Sequence, residues 1–390
     1  MLVLTAERLL APAHEFLNPL LLIDDGRIVE VASSLERAIP PQARHLDFPG
    51  AILAPGFVDI HVHGGGGYDV MGEDAGRLSI IETGLARHGV TSYFPTTVTA
   101  PLQDTLRALE RLGSAVERGE SISESDGKPV RARPCGIHLE GPFLSHARRG
   151  VHPPVDLMLP SLALFERFWE ASRGQIRVMT IAPELPGAEE VIAEASRRGV
   201  CVSLGHSDAD FDTAERGIAA GARHATHTFN AMRVLGHRDP GILGAVLTDA
   251  RVTADIIADG IHLDPTVVRL FLKLKGLEQS VLITDATAAT DMPNGRYKLG
   301  PFEVEVKDGR CMIGDTLAGS VLTMDQAVRN VMAFAGWSLR DAVRLATLNP
   351  ARVVGLEAQA GRLVPGAWAD VAVLNSAGEV QGTMVRGQMV

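Results

Sequence analysis

The chain lacks the features that mark secreted, nucleic-acid-binding and membrane-spanning proteins. Its 390 residues include only three cysteines, at positions 135, 201 and 311, too few and too scattered for a disulfide framework and typical of thiols in a reducing compartment. A net charge of −10, with no basic run longer than two residues, argues against a nucleic-acid surface. No stretch has the length of a transmembrane helix, and the N-terminus does not resemble a signal peptide. We therefore expect a cytoplasmic protein with no nucleic-acid or membrane partner.

Both ends of the chain show the pattern of short β-strands. Short apolar runs separated by turn residues fill residues 1–55, with an Asp25-Gly26 hairpin signal between two of them. Similar runs return at residues 361–375 and 380–390. We predict a small β-sandwich domain formed by both termini, residues 1–55 together with residues 352–390.

The middle of the chain, residues 56–351, alternates strand and helix patterns. Its order and length fit an α/β fold of the (β/α)8 TIM-barrel type, and a doubly wound parallel sheet is the alternative. The predicted strands are 57–63, 90–97, 134–140, 175–182, 200–206, 222–228, 252–258 and 281–285, and the clearest helices are 77–87, 102–116, 162–173, 188–198 and 210–220.

An insertion is expected after the eighth strand. Residues 296–313 show alternating polar and apolar residues and a Lys307-Asp-Gly-Arg310 turn, which predicts a hairpin. Two helices should follow, at 323–334 and 338–347, and Asn349-Pro350 is expected to stop the second.

Glu140 is the residue around which the candidate chemistry is arranged. It ends an apolar strand, and Gly141-Pro142 forbids the strand to continue. A carboxylate buried there needs a cation, an arginine or a proton to offset its desolvation, and no basic residue lies close upstream. We interpret Glu140 as a metal ligand.

Histidines stand at the ends of other predicted strands. His61 and His63 are two apart and therefore share one strand face, which suits two ligands of one ion. His206 and His227 are the further predicted ligands, although His206 also fits the start of a helix and His224 competes with His227. One carboxylate with imidazoles is typical of a zinc or iron site, so we predict a divalent metal cofactor.

Asp285 ends the last predicted strand. Since active sites of such barrels lie at the carboxyl ends of the strands, Asp285 is a candidate to accept a proton from water and deliver it to a leaving group, with a helix-capping aspartate as the alternative. For an anionic substrate, His152, Arg238 and His262 are loop candidates, although most such loop residues are simply solvated.

Several of these motifs together resemble one enzyme family. The segments Pro55–His63 (PGFVDIHVH), Asn349–Ala351 and Gly361–Asp370 resemble the amidohydrolase superfamily. The segments His138–Phe143 (HLEGPF), Gly205–Ser207, Thr226–Met232 (THTFNAM), Ala258–His262, Thr284–Ala286 and Leu317–Ser320 resemble, within it, the N-acetylglucosamine-6-phosphate deacetylase family. The likeness runs essentially from end to end.

The resemblance implies roles for individual residues. Glu140, His206 and His227 would bind the main metal, and Asp285 would be the catalytic acid and base. Both His61 and His63 are kept, so one or two zinc or iron ions per subunit are expected. Substrate contacts are implied for one set of residues: His152, Asn230, Ala231, Arg238, His262, Leu317, Ala318 and Gly319.

The resemblance also implies a reaction and an assembly. The acetamide of N-acetyl-D-glucosamine 6-phosphate would be hydrolysed to D-glucosamine 6-phosphate and acetate, in amino-sugar catabolism and cell-wall recycling. Arg238 would reach across the interface of a homodimer. The alternatives are another amidohydrolase acting on a different N-acyl or cyclic amide, and a non-catalytic barrel, which should have lost some of the ligands or Asp285.

Overall fold

A computed structural model describes residues 1–11, 14–73, 76–120 and 130–390. The N-terminal strands are β1 Leu2–Leu10, β2 Glu15–Leu17, β3 Pro19–Asp24, β4 Arg27–Ser33 and β5 Arg44–Pro55. The predicted hairpin is confirmed, because β3 and β4 pair across Asp25 and Gly26, which both have positive φ. That conformation is what a two-residue hairpin turn requires.

The middle of the chain supplies parallel strands. They are β6 Phe57–Val62, β9 Val90–Pro95, β10 Arg133–Pro134, β11 Ile137–Glu140, β12 Ile176–Ile181, β13 Cys201–Leu204, β14 His224–Ala225, β15 Ala254–Ile257 and β16 Ser280–Ile283, with a short antiparallel pair, β7 Gly64–Gly65 and β8 Tyr68–Asp69, after β6. All eight predicted strands are present, and the third consists of β10 and β11.

These strands form three parallel groups, β6–β9–β10, β11 to β14, and β15–β16. Parallel bridges from Thr96 to His138 and from Val62 to Ala286 connect neighbouring groups, and the Thr228 N–H donates to the Asp255 carbonyl. The carboxyl ends of the strands therefore meet on one side of the fold. The closed barrel itself stays a prediction.

Helices alternate with these strands. They are α1 Gly76–Arg87, α2 Leu102–Glu120, α3 Leu162–Ala171, α4 Ala188–Arg197, α5 Phe211–Ala220, α6 Gly241–Thr248, α7 Pro265–Gln279, α8 Met324–Ala335, α9 Leu339–Leu345 and α10 Leu348–Val353. Ser161, Asp210 and Ser338 cap α3, α5 and α9 by accepting backbone N–H groups. Among the described helices, none combines the length and the apolar character needed to cross a bilayer.

The expected stop at Asn349-Pro350 is wrong in its details. Helix α9 ends earlier, at Leu345, and both residues lie in the first turn of α10. Proline is tolerated there because the first N–H groups of a helix have no intrahelical partner. The Asn349 side chain instead donates to the carbonyls of Leu277 and Ser280, which ties α10 to the start of β16.

The predicted hairpin after β16 is confirmed and is larger than expected. It forms a four-stranded antiparallel sheet of β17 Gly295–Leu299, β18 Phe302–Lys307, β19 Arg310–Ile313 and β20 Thr316–Leu317. A small core of its own includes Val304 and Cys311. The last strand returns the chain toward the carboxyl end of β16, where Ala286 bridges Ser320.

The C-terminal strands join the N-terminal ones. β21 Val371–Leu374, β22 Val380–Val385 and β23 Gln388–Met389 complete an eight-stranded mixed sheet, in which β21 pairs with β5. Alternate residues face opposite sides, so Leu53 and Val373 pack in a core of this sheet while Ile52 and Leu374 pack in the main core. The sandwich and the domain boundaries at 55/56 and 351/352 stay predictions.

Candidate metal centre and substrate pocket

Six side chains converge at the carboxyl ends of the parallel strands. Three of them, His206, His227 and Asp285, have left-handed backbones, with φ of +47°, +31° and +52°. A left-handed non-glycine residue is unfavourable and, at a strand end, typical of functional sites. The six are His61, His63, Glu140, His206, His227 and Asp285, and none is more than 7% exposed.

The Glu140 carboxylate lies between two groups of side chains. Its Oε2 atom is 3.3 Å from His63 Nε2 and 3.5 Å from His61 Nε2. Its Oε1 atom is 3.2 Å from His227 Nε2 and 3.5 Å from His206 Nε2. Asp285 joins the first group, with Oδ1 3.2 Å from His63 Nε2. Two overlapping clusters thus share one carboxylate.

Hydrogen bonds on the far side of two rings indicate where their lone pairs point. His63 Nδ1 lies 3.0 Å from the Thr96 carbonyl, and His206 Nδ1 lies 2.9 Å from the Arg148 carbonyl. A carbonyl only accepts, so each Nδ1 carries a hydrogen, and each ring, when it is neutral, directs an Nε2 lone pair inward.

These lone pairs face other imidazoles. His63 Nε2 is 3.1 Å from His61 Nε2, and His206 Nε2 is 3.1 Å from His227 Nε2. Two such nitrogens at this distance need a proton or a cation between them. Imidazole nitrogens together with carboxylate oxygens are the donor set of zinc and of other divalent transition metals, so the residues fit a metal ion.

An open pocket of about 480 Å³ lies over this centre. Most of the predicted substrate residues line it, namely His152, Asn230, Ala231, His262, Leu317 and Gly319. Ala318 does not, since it is fully buried beside the hairpin core. Arg238 does not line it either: its guanidinium lies on the exposed surface, 2.8 Å from His237 Nε2.

Comparison with known proteins identifies the family of the chain. The amidohydrolase family model matches residues 52–390. The chain belongs to the amidohydrolase family. It is 39% identical to the N-acetylglucosamine-6-phosphate deacetylase of Bos taurus over 95% of this chain and 91% of that one. It is 38% identical to the N-acetylgalactosamine-6-phosphate deacetylase of Escherichia coli O157:H7, over 99% of this chain and 98% of that one.

Solved structures show the same similarity. A mutant N-acetyl-D-glucosamine-6-phosphate deacetylase from Mycobacterium smegmatis, in complex with N-acetyl-D-glucosamine-6-phosphate, superposes with a TM-score of 0.91. It is 37% identical, and the match covers 100% of this chain and 98% of that one. The deacetylase of Thermotoga maritima superposes with a TM-score of 0.85 at 31% identity, covering 98% and 97%.

His152 differs from the other histidines of this amidohydrolase site. Its Nδ1 accepts the Thr99 N–H at 3.2 Å and lies 2.8 Å from the Thr99 hydroxyl, so the ring hydrogen is on Nε2. Gly141 leaves room for the Thr99 side chain, since a Cβ at position 141 would lie 2.1 Å from Thr99 Oγ1. Burial and the neighbouring charge of His206 lower the pKa of His152 well below its usual value. His152 is therefore a neutral donor that faces Glu140 at 3.7 Å.

Protons take the place of the cation when no metal is bound. Burial opposes the charged form of His63, but hydrogen bonds and charges from Asp285 and Glu140 outweigh it and raise its pKa to about 10. The pKa of His227 is raised to about 9, because Glu140 likewise outweighs burial. Burial would raise the pKa of Asp285, yet the charges of His61 and His63 lower it to about 2.

Buried acids behind the ligands were missed by sequence reasoning. Asp59 accepts the His61 N–H at 3.3 Å and the Thr284 hydroxyl at 2.6 Å. Asp255 accepts the His227 N–H. Each is a lone acid in an apolar strand, the same signal that identified Glu140, and Asp59 also shares the strand face of His61.

Two further residues that support His206 could not be recognised from the sequence. Glu184 accepts the Ser207 hydroxyl at 2.7 Å and the Asp208 N–H at 2.6 Å, which braces the turn after His206. Arg148 lines the pocket and pairs with Asp208 at 2.7 Å, while its carbonyl orients His206. Glu184 lies in a turn and Arg148 ends a 3-10 helix of three residues, and neither is long enough to show a periodic pattern.

Metal binding should release protons. At pH 7.5 the metal-free site keeps the protons of His63 and His227, and Zn²⁺ must displace them, so we expect about one to two protons released per ion and weaker binding as the pH falls. Calorimetry in buffers of different ionisation enthalpy measures this number. His63→Asn should release about one proton fewer, and a binding enthalpy that does not depend on the buffer would contradict the assignment.

Proposed function

We propose that this amidohydrolase hydrolyses the acetamide of N-acetyl-D-glucosamine 6-phosphate to D-glucosamine 6-phosphate and acetate, in amino-sugar catabolism and cell-wall recycling in the cytoplasm. The observation that carries the proposal is the convergence of Glu140, four imidazoles and Asp285 at the floor of an open pocket. The deacetylases that match this chain over nearly its full length support the choice of substrate.

A divalent ion, zinc or iron, belongs to the proposal. Glu140, His206 and His227 would hold the main ion, and His61 and His63 would take part in holding it or a second one. A cation of this kind supplies Lewis-acid polarisation of a carbonyl oxygen and a lower pKa for a water molecule. The inward lone pairs of His63 and His206 are the structural support for this assignment.

Asp285 is proposed as the group that moves the proton. In the metal-free site the charges of His61 and His63 lower its pKa to about 2. A divalent cation in their place would also favour the carboxylate, which can accept a proton from the attacking water. It then donates the same proton to the departing nitrogen, so that the products are acetate and a free amine. Its left-handed backbone is fixed by its own N–H, which donates to the His61 carbonyl at 3.1 Å.

His152 is proposed to hold the acetamide oxygen. Its Nε2–H faces the Glu140 side of the centre and cannot accept a metal in the same tautomer. Charge develops on the carbonyl oxygen as water adds, and a preoriented donor stabilises that charge without having to reorganise. Thr99 keeps the ring in the donating tautomer.

The sugar and its phosphate are proposed to occupy the outer pocket. Asn230, Ala231 and Leu317 line its wall, and His262 lies at its edge with its Nδ1 held by Asp259 at 2.7 Å. Arg238 is outside the pocket of its own chain, which supports its contribution from the partner subunit of a homodimer. Val234 and Leu235, in the same loop, are 72% and 46% exposed, and an interface would cover this adjacent pair of apolar side chains.

The architecture follows from the same proposal. Residues 56–351 would close into an eight-stranded barrel, supported by the bridges from β9 to β11 and from β6 to the end of β16. Residues 1–55 and 352–390 would form the smaller β-sandwich domain, supported by a hydrophobic core that belongs to the terminal sheet. Helix α10, Leu348–Val353, spans the second boundary.

Acetate release from metal-loaded protein tests the function. We expect efficient turnover of N-acetylglucosamine 6-phosphate and slow turnover of unphosphorylated N-acetylglucosamine, because the phosphate adds charge-assisted contacts. N-acetylgalactosamine 6-phosphate is the third substrate, since a relative of 38% identity is named for it. No acetate from any of the three, with metal bound, would contradict the proposal.

Asp285→Asn separates metal binding from proton transfer. The amide keeps the shape of the side chain but cannot accept the proton, so we expect the metal content to be retained and kcat to fall by about 10² to 10⁴. Asp308→Asn, in an exposed left-handed turn of the hairpin, is the matched control and should keep normal turnover. Near-normal turnover in Asp285→Asn would rule out its assigned role.

Mixed dimers test the origin of Arg238. Arg238→Ala should raise KM for the phosphorylated sugar, and Asp285→Asn should lower kcat. If Arg238 serves the partner's pocket, a refolded equal mixture of the two variants contains some complete sites and regains about a quarter of wild-type activity at low substrate. If it serves its own pocket, mixing restores nothing.

A further inference from the structure

His227 is held differently from two of its neighbours in the metal centre. The rings of His63 and His206 are oriented by hydrogen bonds from Nδ1 to backbone carbonyls. The Nδ1 of His227 is buried and has no hydrogen-bond partner among the described residues. The direction of its Nε2 therefore depends on its backbone, which has the unfavourable φ of +31°.

Asp255 fixes that backbone. One of its carboxylate oxygens accepts the His227 N–H, and its own carbonyl accepts the Thr228 N–H at 2.9 Å. The side chain projects from β15, next to the end of β14, and is only 1% exposed. A carboxylate that accepts a backbone N–H in a dry interior makes a strong, directional bond.

The other carboxylate oxygen is anchored as well. His224, which is fully buried, places Nε2 2.8 Å from Asp255 Oδ2, and its Nδ1 lies 2.7 Å from the Thr253 hydroxyl. This explains why His224 is not a ligand although it precedes His227 by only three residues. Thr253, His224 and Asp255 form a chain of hydrogen bonds that ends on the backbone of His227.

We propose that Asp255 is a positioning residue that sets the strength of metal binding through His227. This inference rests on the metal site of the proposed function. The same relation recurs at His61, another proposed ligand whose Nδ1 is buried without a hydrogen-bond partner in the described part of the chain, because its N–H is accepted by the buried Asp59. In both His61 and His227, which lack a hydrogen bond at Nδ1 among the described residues, a buried aspartate accepts the backbone N–H.

The alternative is that Asp255 only stabilises the core. Asp370 provides a matched control, because it is 4% exposed, accepts the Arg386 N–H at 2.7 Å and pairs with Arg133 of β10 at 3.2 Å, where the terminal sheet meets that strand. Asp255→Ala, Asp255→Asn and Asp370→Ala would be compared with wild type in three measurements. These are the Zn²⁺ dissociation constant by chelator competition, the melting temperature, and the visible absorption of the Co²⁺-loaded protein.

We expect Asp255→Ala to weaken Zn²⁺ binding about 10-fold to 100-fold and to change the Co²⁺ spectrum. Asp255→Asn keeps an acceptor but a weaker one, so its loss should be smaller, about threefold to tenfold. Asp370→Ala should lower the melting temperature with Zn²⁺ affinity unchanged.

Unchanged affinity and spectrum in Asp255→Ala would overturn the proposal. If that variant does not fold, unchanged affinity in Asp255→Asn would overturn it. A wild-type protein that binds no Zn²⁺ would instead contradict the metal site itself.

Discussion

The structure depends on burying Glu140 among imidazoles that direct their lone pairs toward one another. Each buried ion costs several kcal/mol unless it is paired, and close nitrogen lone pairs repel. The fold tolerates this arrangement only when positive charge occupies the centre, as protons in the metal-free protein or as a divalent ion in the functional one. Glu140 touches both halves of the site and couples them electrostatically.

The surrounding structure supports that centre at the strand ends. His206, His227 and Asp285 have left-handed backbones that cost about 1 to 3 kcal/mol each, and backbone or acid partners hold each turn in place. Glu184 braces the turn after His206, and Asp255 holds His227. Rigid strands with short braced turns fix the ligand geometry more narrowly than free loops can.

Local patterns in the sequence predicted the features that depend on local physics. The eight strands could be found because buried parallel strands are continuous apolar runs, and the residues that converge at the candidate metal centre because a charged or imidazole residue at the end of such a run stands out. Helix α6 could not be found in this way: it is apolar on nearly all sides and shows no period. Pro350 was expected to stop a helix. It lies instead in the first turn of α10, because α9 ends earlier, at Leu345.

Other parts of the site depend on long-range packing. The tautomer of His152 is set by Thr99, fifty-three positions away in sequence, and the ring of His206 is oriented by the carbonyl of Arg148. The location of Arg238 outside its own pocket depends on how the loop after β14 folds. The sequence motifs identify these residues as candidates, but only the folded chain shows which neighbours orient them.

Anomalous X-ray scattering from crystals of the metal-loaded protein tests the central claim most directly. Data collected above and below the absorption edge of the bound metal would locate the ion independently of any assumption about its ligands. We expect a peak about 2.0 to 2.2 Å from Glu140 and from the Nε2 atoms of His206 and His227. A peak elsewhere, or none in protein that contains stoichiometric metal, would contradict the assignment of this cluster as the metal centre.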